Sequence, residues 1–439
     1  MILQTFLIFI IIFGFNFAYA QTGEYGTLSG QVRAYHIFGG AYIKAGKDYD
    51  VSGSTIGGHI RYTTPKFNNF GVSSSFYYAT STGLTEKDNP NTIIGAGRFL
   101  EDDLKPRGLI PEINIFYDDG EHKIVAGRQK FSSPMTKEVV TYLPTMFEAL
   151  TYTNKTFSDT TLVFSQIDKM AFGSRAPVEF GLIGEATRTA GASQNGLALR
   201  GRFRPIETLT VNDKSVNTKG LTVFAIKNRS LPNTTLEFWD YYGHDILNMT
   251  YIEASYKIPV KEATYIASIQ YLHQNSVGKD LANAFMDDGS SNLYGVKLSA
   301  KYGKSLAFIA YNHTGSSKIF NPWGGDPAYT STFFSRNEYR ADVDAFKVGY
   351  NYKIKKDLTL ITDFANYGKS NTMGSFVAAG DKVPAKAIYN AIETTALLVY
   401  KPIKNLTILS GVIYKNSEYA FNGKKIRLLD VDLVITYNF

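Results

Sequence analysis

The sequence predicts an all-β chain: a single transmembrane antiparallel β-barrel of about eighteen strands, with short turns at one end and long loops at the other. Three observations predict it. Connections of two lengths alternate strictly along the chain. The runs between them alternate in polarity with period two, as strand side chains do. No segment after the first twenty residues reaches the roughly 18 apolar residues that a spanning helix needs.

The short connections are marked by Pro, Gly, Asn and Asp, which supply the fixed or positive φ of a turn. They fall at Thr64–Asn69, Asp118–His122, Asn154–Asp159, Arg229–Asn233, Pro259–Ala263, Gly303–Lys304, Lys355–Asp357 and Lys401–Asn405. The longer ones are Gly39–Gly53, Thr80–Leu109, Gln129–Met146, Gly173–Asn217, Gly243–Asn248, Ser276–Ser290, Thr314–Ala341, Gly368–Ile388 and Asn416–Lys424. Eight turns and nine loops in alternation give eighteen strands with both chain ends on one side. A soluble sandwich has no reason to sort connections by length onto two sides. In an outer-membrane barrel the turns are periplasmic and the loops extracellular.

The strands show two faces. Tyr294, Val296, Leu298, Ala300 and Tyr302 alternate with Gly295, Lys297, Ser299 and Lys301. Phe346, Val348, Tyr350 and Tyr352 alternate with Lys347, Gly349 and Asn351. The last strand reads Leu429, Val431, Leu433, Ile435, Tyr437 and Phe439 on one face, with Asp430, Asp432, Thr436 and Asn438 on the other. Its predicted partner is Thr27–Phe38, which closes the barrel. The runs Ser305–His313 and Thr160–Phe172 have no clear faces. Aromatics at strand ends beside turns (Phe67, Phe70, Phe157, Tyr256, Tyr302, Tyr352, Tyr400) fit an interfacial girdle.

Composition agrees. The chain has 439 residues, no cysteine, 30 Tyr, 30 Phe and 2 Trp, with a mean hydropathy of −0.14. A polar average rich in Tyr and Phe suits a wall wet inside and greasy outside. The lack of cysteine excludes disulfide scaffolds and thiolate chemistry. Net charge is +7. Its Lys and Arg are spread out, so no nucleic acid is expected as a partner, and the charge reads either as a solvated surface or as an anion-attracting field in a pore.

Met1–Phe17 is almost wholly apolar and is followed by Ala18-Tyr19-Ala20. Residues 1–20 therefore read as a signal peptide, with a mature barrel over 21–439, although a basic n-region is missing and a membrane anchor is the alternative. Export with no later helical span leaves the periplasm, the outer membrane or the outside, and the barrel pattern selects the outer membrane of a Gram-negative cell.

No catalytic constellation stands out. The six histidines (His36, His59, His122, His244, His273, His313) lie on different elements, without metal-site spacing, and read as lumen or loop polar groups. No G-x-S-x-G elbow or Walker loop is present. Met286-Asp287-Asp288-Gly289-Ser290 lacks the spacing and terminal Glu of a calcium loop. The reading is not an enzyme, and no cofactor or metal is expected.

Charges on polar faces are the functional candidates. Arg33, Arg61, Lys257, Lys297, Lys301 and Lys347, with Glu253, Glu393, Asp430 and Asp432, are placed inward. Arg or Lys facing lipid at the midplane costs about 2–4 kcal/mol. Rows of such charges set pore selectivity.

The segment Lys123–Leu150 resembles the strand and third loop of the OprD family of outer-membrane porins. The matching residues are Gly127, Pro134, Leu143-Pro144 and Phe147-Glu148. Arg33-Ala34-Tyr35 resembles that family's first strand. Asn321-Pro322-Trp323-Gly324-Gly325-Asp326, followed by Phe334-Ser335-Arg336-Asn337, resembles its seventh loop. The sequence departs at Thr141-Tyr142, where the family often has Ser-Arg, which removes one cation from the expected constriction. The resemblance implies a channel narrowed by inward-folded third and seventh loops. It would pass small water-soluble solutes and ions passively, without a cofactor. Lys130, Lys137 and Glu138 would belong to the third loop, and Asp326, Arg336, Glu338 and Arg340 to the seventh. Phe439 looks like the terminal signal read by the barrel-assembly machinery. Outer-membrane lipid is the other partner, and both a monomer and a trimer fit. The alternatives are a plugged-lumen binding or adhesive barrel and an outer-membrane hydrolase. The charge balance predicts a weak anion preference.

Overall fold

A computed structural model describes residues 22–38, 41–44, 47–50, 53–84, 106–136, 142–171, 173, 201, 203–205, 210–211, 214–215, 219–278, 289–321, 323, 325, 327–333, 341–369, 388–419 and 425–439. The leader 1–20 and the candidates Lys137, Glu138, Asp326, Arg336 and Arg340 lie outside the described residues.

Eighteen long strands form the wall. They are β1 (Gly26–Phe38), β2 (Gly53–Thr63), β3 (Phe70–Ser81), β4 (Arg107–Asp118), β5 (His122–Gln129) and β6 (Met146–Asn154). Next come β7 (Thr160–Ala171), β8 (Leu221–Asn228), β9 (Thr234–Gly243), β10 (Leu247–Val260), β11 (Ala263–Ser276) and β12 (Ser290–Tyr302). The last six are β13 (Ser305–Thr314), β14 (Val343–Lys353), β15 (Leu358–Tyr367), β16 (Ile388–Ile403), β17 (Leu406–Tyr419) and β18 (Lys425–Asn438).

Each strand pairs antiparallel with its neighbour in sequence. β18 then returns to β1, in register from Gln31↔Asn438 to Phe38↔Val431, so the sheet has no free edge. The seam is finished by two backbone bonds, Gly30 N to Phe439 O at 2.8 Å and Phe439 N to Gly30 O at 3.0 Å. A Cβ on Gly30 would lie 2.4 Å from the Phe439 ring and 2.5 Å from the His59 carbonyl. Only glycine lets the terminal aromatic approach the first strand this closely. Gly30→Val is therefore expected to impair closure. The folded, heat-modifiable band on a denaturing gel should fall several-fold in membranes while Ala34→Val leaves it intact.

The predicted short turns are present, and positive φ falls on them at Asn68, Asn69, Gly120, Asp159, Asn233 and Gly303. Lys261 is the unusual one, with φ 51°. It sits in a two-residue hairpin between Val260 and Ala263, where strand twist demands left-handed backbone. One expected long loop, Gly243–Asn248, is instead a tight connection: Gly243 already pairs with Leu247. Asp245 takes φ 59° to make it, a conformation Asp tolerates better than most residues.

The period-two pattern sorts as predicted. Ile115 is 59% and Leu298 55% exposed on the outer face. The girdle aromatics Phe67, Phe70, Phe157, Tyr256, Tyr302, Tyr352 and Tyr400 are all exposed beside the turns. Register resolves the two ambiguous runs, placing Phe164 and Ile309 outward. The apolar core lies inside the barrel, not between sheets. It joins inward residues of β6 to β12, among them Phe147, Ile167, Leu221, Trp239, Tyr241 and Tyr251, to Phe131, Met135, Phe320 and Trp323 from two long loops.

Candidate functional site: the lumen constriction

Two loops narrow the lumen, the third between β5 and β6 and the seventh between β13 and β14. The third loop is fixed at its root by Gln129, whose Nε2 donates to the Ala149 carbonyl at 2.9 Å and the Val125 carbonyl at 3.1 Å. Its first turn is tied by Thr136, whose Oγ1 donates to Phe131 O at 2.8 Å and accepts from Ser133 N at 3.0 Å. This turn drives Phe131 and Met135 into the core. Phe131 meets Phe147 and Trp239 edge-on, with centroids at 6.2 and 6.5 Å. Met135 is fully buried. Burying two such side chains contributes about 3–6 kcal/mol, enough to hold the loop inside.

The seventh loop locks onto the third at one carbonyl. Met135 O accepts from Gly325 N at 2.8 Å and from Asn321 Nδ2 at 3.1 Å. Trp323 stacks on Tyr241, which stacks on Trp239, at 5.9 and 6.0 Å. The loop then runs along the wall. Gln270 Nε2 donates to Pro327 O at 3.2 Å, and Gln270 Oε1 accepts from Tyr329 N at 3.1 Å. Asn312 Oδ1 accepts from Thr330 N at 2.9 Å, and Lys347 Nζ donates to Ser331 O at 2.9 Å.

At its far end the third loop crosses to the opposite wall. The Tyr142 hydroxyl lies 3.1 Å from the Arg33 carbonyl, the Thr55 carbonyl and the Thr55 hydroxyl, and its ring packs with Tyr35, Ile37 and Ala79. Burial pushes this phenol's pKa above its ordinary range, opposed by the Thr55 hydrogen bond. The position that looked like a missing cation is an anchor. The signal was present in the sequence as the departure at Thr141-Tyr142, but its role needed the fold.

Charges gather on two walls. On β1 to β5, Arg61 Nη2 pairs with Glu112 Oε1 at 3.0 Å, His59 stacks on Tyr77 at 4.5 Å, and Arg33 Nε donates to Thr436 Oγ1 at 3.0 Å. Lys130 stands at the root of the third loop. Its pKa is lowered chiefly by desolvation in the narrow lumen, with Glu112 opposing and Arg61 adding to the shift. The facing wall is balanced. Lys347 pairs with Asp363 at 3.3 Å and Lys227 with Glu237 at 3.7 Å. Lys297 lies over the Phe308 ring at 4.7 Å, and Tyr251 donates to Glu253.

Several sequence candidates gather in two groups: Arg33, Arg61 and Lys130 around His59 on one wall, and Lys297 with Lys347 on another. Lys301 lies apart, exposed one residue short of Tyr302 at the turn end of β12. Asp430 and Asp432 face inward but are covered, at 3% and 5% exposure. Asp432 accepts from the Tyr35 hydroxyl at 2.8 Å and lies opposite Ile37, while Thr436 lies opposite Arg33. These two acids belong to the wall, not the water path. His59 faces the lumen, but His273 and His313 stand on the outer face, bonded to Asn292 at 2.7 Å and Asp344 at 2.9 Å. The strand register, not the local sequence, sets these two outward.

Arg61→Gln would strand Glu112, whose side chain is 5% exposed. The expected cost is about 2–3 kcal/mol, below that of a fully buried pair because Arg61 itself is 42% exposed. Urea unfolding should show it, and adding Glu112→Gln should recover most of it.

No protein-family model and no curated protein matches the sequence. Solved structures do match in shape. OccAB3 of Acinetobacter baumannii superposes with a TM-score of 0.73 at 13% identity, covering 94% of this chain and 98% of that one. A BenF-like porin from Pseudomonas fluorescens Pf-5 gives 0.71 at 13%, covering 94% and 98%. OpdK of Pseudomonas aeruginosa, solved with vanillate, gives 0.68 at 13%, covering 94% and 98%. The chain has the closed eighteen-stranded fold of the OprD-type porins, with its third and seventh loops turned into the lumen.

Proposed function

We propose that the protein is a diffusion porin of a Gram-negative outer membrane, passing small hydrophilic solutes and ions through a charge-lined constriction. The observation that carries this is the lock at Met135. It holds the third and seventh loops together inside the barrel. A loop folded for surface binding would not be built into the lumen core. The turns would face the periplasm and Phe439 would serve the assembly machinery. Since the facing wall is balanced, the basic wall sets a weak preference for anions. The vanillate bound to OpdK, itself a carboxylate, is in keeping with that preference. Passive passage through fixed charges needs neither cofactor nor catalytic group.

A second reading has one observation in its favour. The loop-side half of the lumen on β6 to β12 is densely packed, as in a plugged barrel that binds without conducting. Swelling of proteoliposomes separates the two. Uptake of small sugars and carboxylates, faster for the carboxylates, supports the porin. Vesicles that stay impermeable to all of them support the plug.

A further inference from the structure

Among the described residues, seven backbone bonds stitch neighbouring hairpins together at the turn end of the barrel. In each, the residue at the foot of a descending strand donates its N–H to the last residue of the preceding turn. Asp118 donates to Asn69 O at 2.9 Å, Lys155 to Glu121 O at 2.8 Å, Arg229 to Asp159 O at 2.8 Å and Lys257 to Asn233 O at 2.9 Å. Lys353 donates to Lys304 O at 3.0 Å, Lys401 to Asp357 O at 2.7 Å and Asn438 to Asn405 O at 2.9 Å. Lys301 holds the matching place on β12, where Tyr302 pairs with Ala263. Six consecutive hairpins therefore put a cation at one equivalent position: Lys155, Arg229, Lys257, Lys301, Lys353 and Lys401.

All six side chains are exposed, and none makes an ion pair with a described residue. Four stand next to a girdle aromatic, Tyr256, Tyr302, Tyr352 or Tyr400, whose ring is exposed on the lipid face. Strand alternation turns the neighbouring lysine to the other face, toward the mouth of the pore. The turn residues between these positions raise the total to eleven basic against three acidic side chains, Asp159, Glu262 and Asp357. That surplus exceeds the +7 of the whole chain. Beyond the arc the charges cancel or turn negative. Asp118 takes both Lys66 at 3.4 Å and Lys123 at 3.9 Å, and Glu24, Asp119, Glu121 and the terminal carboxylate of Phe439 lie on that side of the rim.

Successive positions are two strands apart, about 12 Å along a rim of tilted strands. That is close to the screening length of about 8–10 Å in physiological salt, so the six fields merge. The arc runs from β6 to β16, about 60 Å of the rim. One exposed ion pair is weak, so a lone carboxylate is not held there. A chain or face of carboxylates meets several cations at once and gains from each. We infer that the arc docks the acidic surface of a soluble periplasmic protein, seated over the turn-side mouth. The inference rests on the porin reading, which puts the turns in the periplasm. A partner seated there stands at the exit of the pore, the place from which a carrier takes up solute.

Fluorescence anisotropy tests this with the full-length protein in nanodiscs of neutral phosphatidylcholine and a labelled polyglutamate as probe. About twenty extended residues span the arc. The probe should bind at low salt and be released at 1 M salt, where the screening length is about 3 Å. Lys155→Gln, Arg229→Gln, Lys353→Gln and Lys401→Gln together should weaken binding by roughly tenfold or more, while the heat-modifiable band stays intact. Lys66→Gln with Lys123→Gln, outside the arc, should change it little. Free glutamate at the same carboxylate concentration should not displace the probe, a readout on the unsubstituted protein that needs no variant to fold. No binding, equal binding by the fourfold variant, or displacement by free glutamate overturns the inference. Peptidoglycan sacculi that sediment the unsubstituted protein and not the fourfold variant assign the arc to the cell wall and overturn it as well. Binding is read without conduction, so a barrel that never conducts counts against the porin reading alone.

Discussion

Replacing Gly325 by valine is expected to raise single-channel conductance roughly two- to threefold while the barrel stays folded. A Cβ at this position would lie 2.2 Å from the Met135 carbonyl carbon and 2.4 Å from Thr136 N. Both are backbone atoms that cannot turn aside, so the seventh loop must leave the third. The Gly325 N to Met135 O bond and the Asn321 bond to the same carbonyl would be lost together. The wall strands are untouched, so heat modifiability should not change. Met135→Ala is the softer comparison. It opens a cavity in the loop core at a cost of about 2–5 kcal/mol, but keeps both bonds to the carbonyl of residue 135, so conductance should become noisier with a smaller rise in its mean. Unchanged conductance in Gly325→Val, measured on single channels, would show that the lock does not set the narrowest section.

Lys130→Glu is expected to turn the weak anion preference into a cation preference. A unit charge about 6 Å from a permeating ion, in a water-filled pore, is worth about 0.7–1.4 kcal/mol. Reversing it acts on anions and cations with opposite sign, so their permeability ratio should swing by roughly tenfold or more at low salt. At 1 M salt, where the screening length is about 3 Å, the swing should shrink. Lys130 is the right place because it is exposed to lumen water and its loss strands no buried partner, unlike Arg61. Reversal potentials in a salt gradient measure the effect. The same ratio before and after substitution would move the selectivity-setting site away from the third-loop root.

The barrel was legible because its two rules are local. Turn residues such as Asn68-Asn69 and Gly303 mark where strands end, and period-two polarity marks which face is which. The resemblance at Gly127–Glu148 and Asn321–Asp326 also pointed to the two loops that turn inward. What was not legible depends on register between strands. Asp430 and Asp432 read as lumen acids beside Arg33, but pairing sets Thr436 there and puts Asp432 four residues on, opposite Ile37, where it accepts from the Tyr35 hydroxyl. His273 and His313 read as lumen or loop groups, and pairing turns them outward. Tyr142 showed only as an absent cation, since nothing local says that a phenol will cross the lumen to the Arg33 carbonyl.

The central claim is that the loops narrow the lumen without sealing it. Insertion of the purified full-length protein into a planar bilayer tests this most directly. Stepwise ohmic conductance is predicted, with a reversal potential that leans weakly toward anions in a salt gradient. Protein that is folded and heat-modifiable, inserts, and never conducts would contradict it.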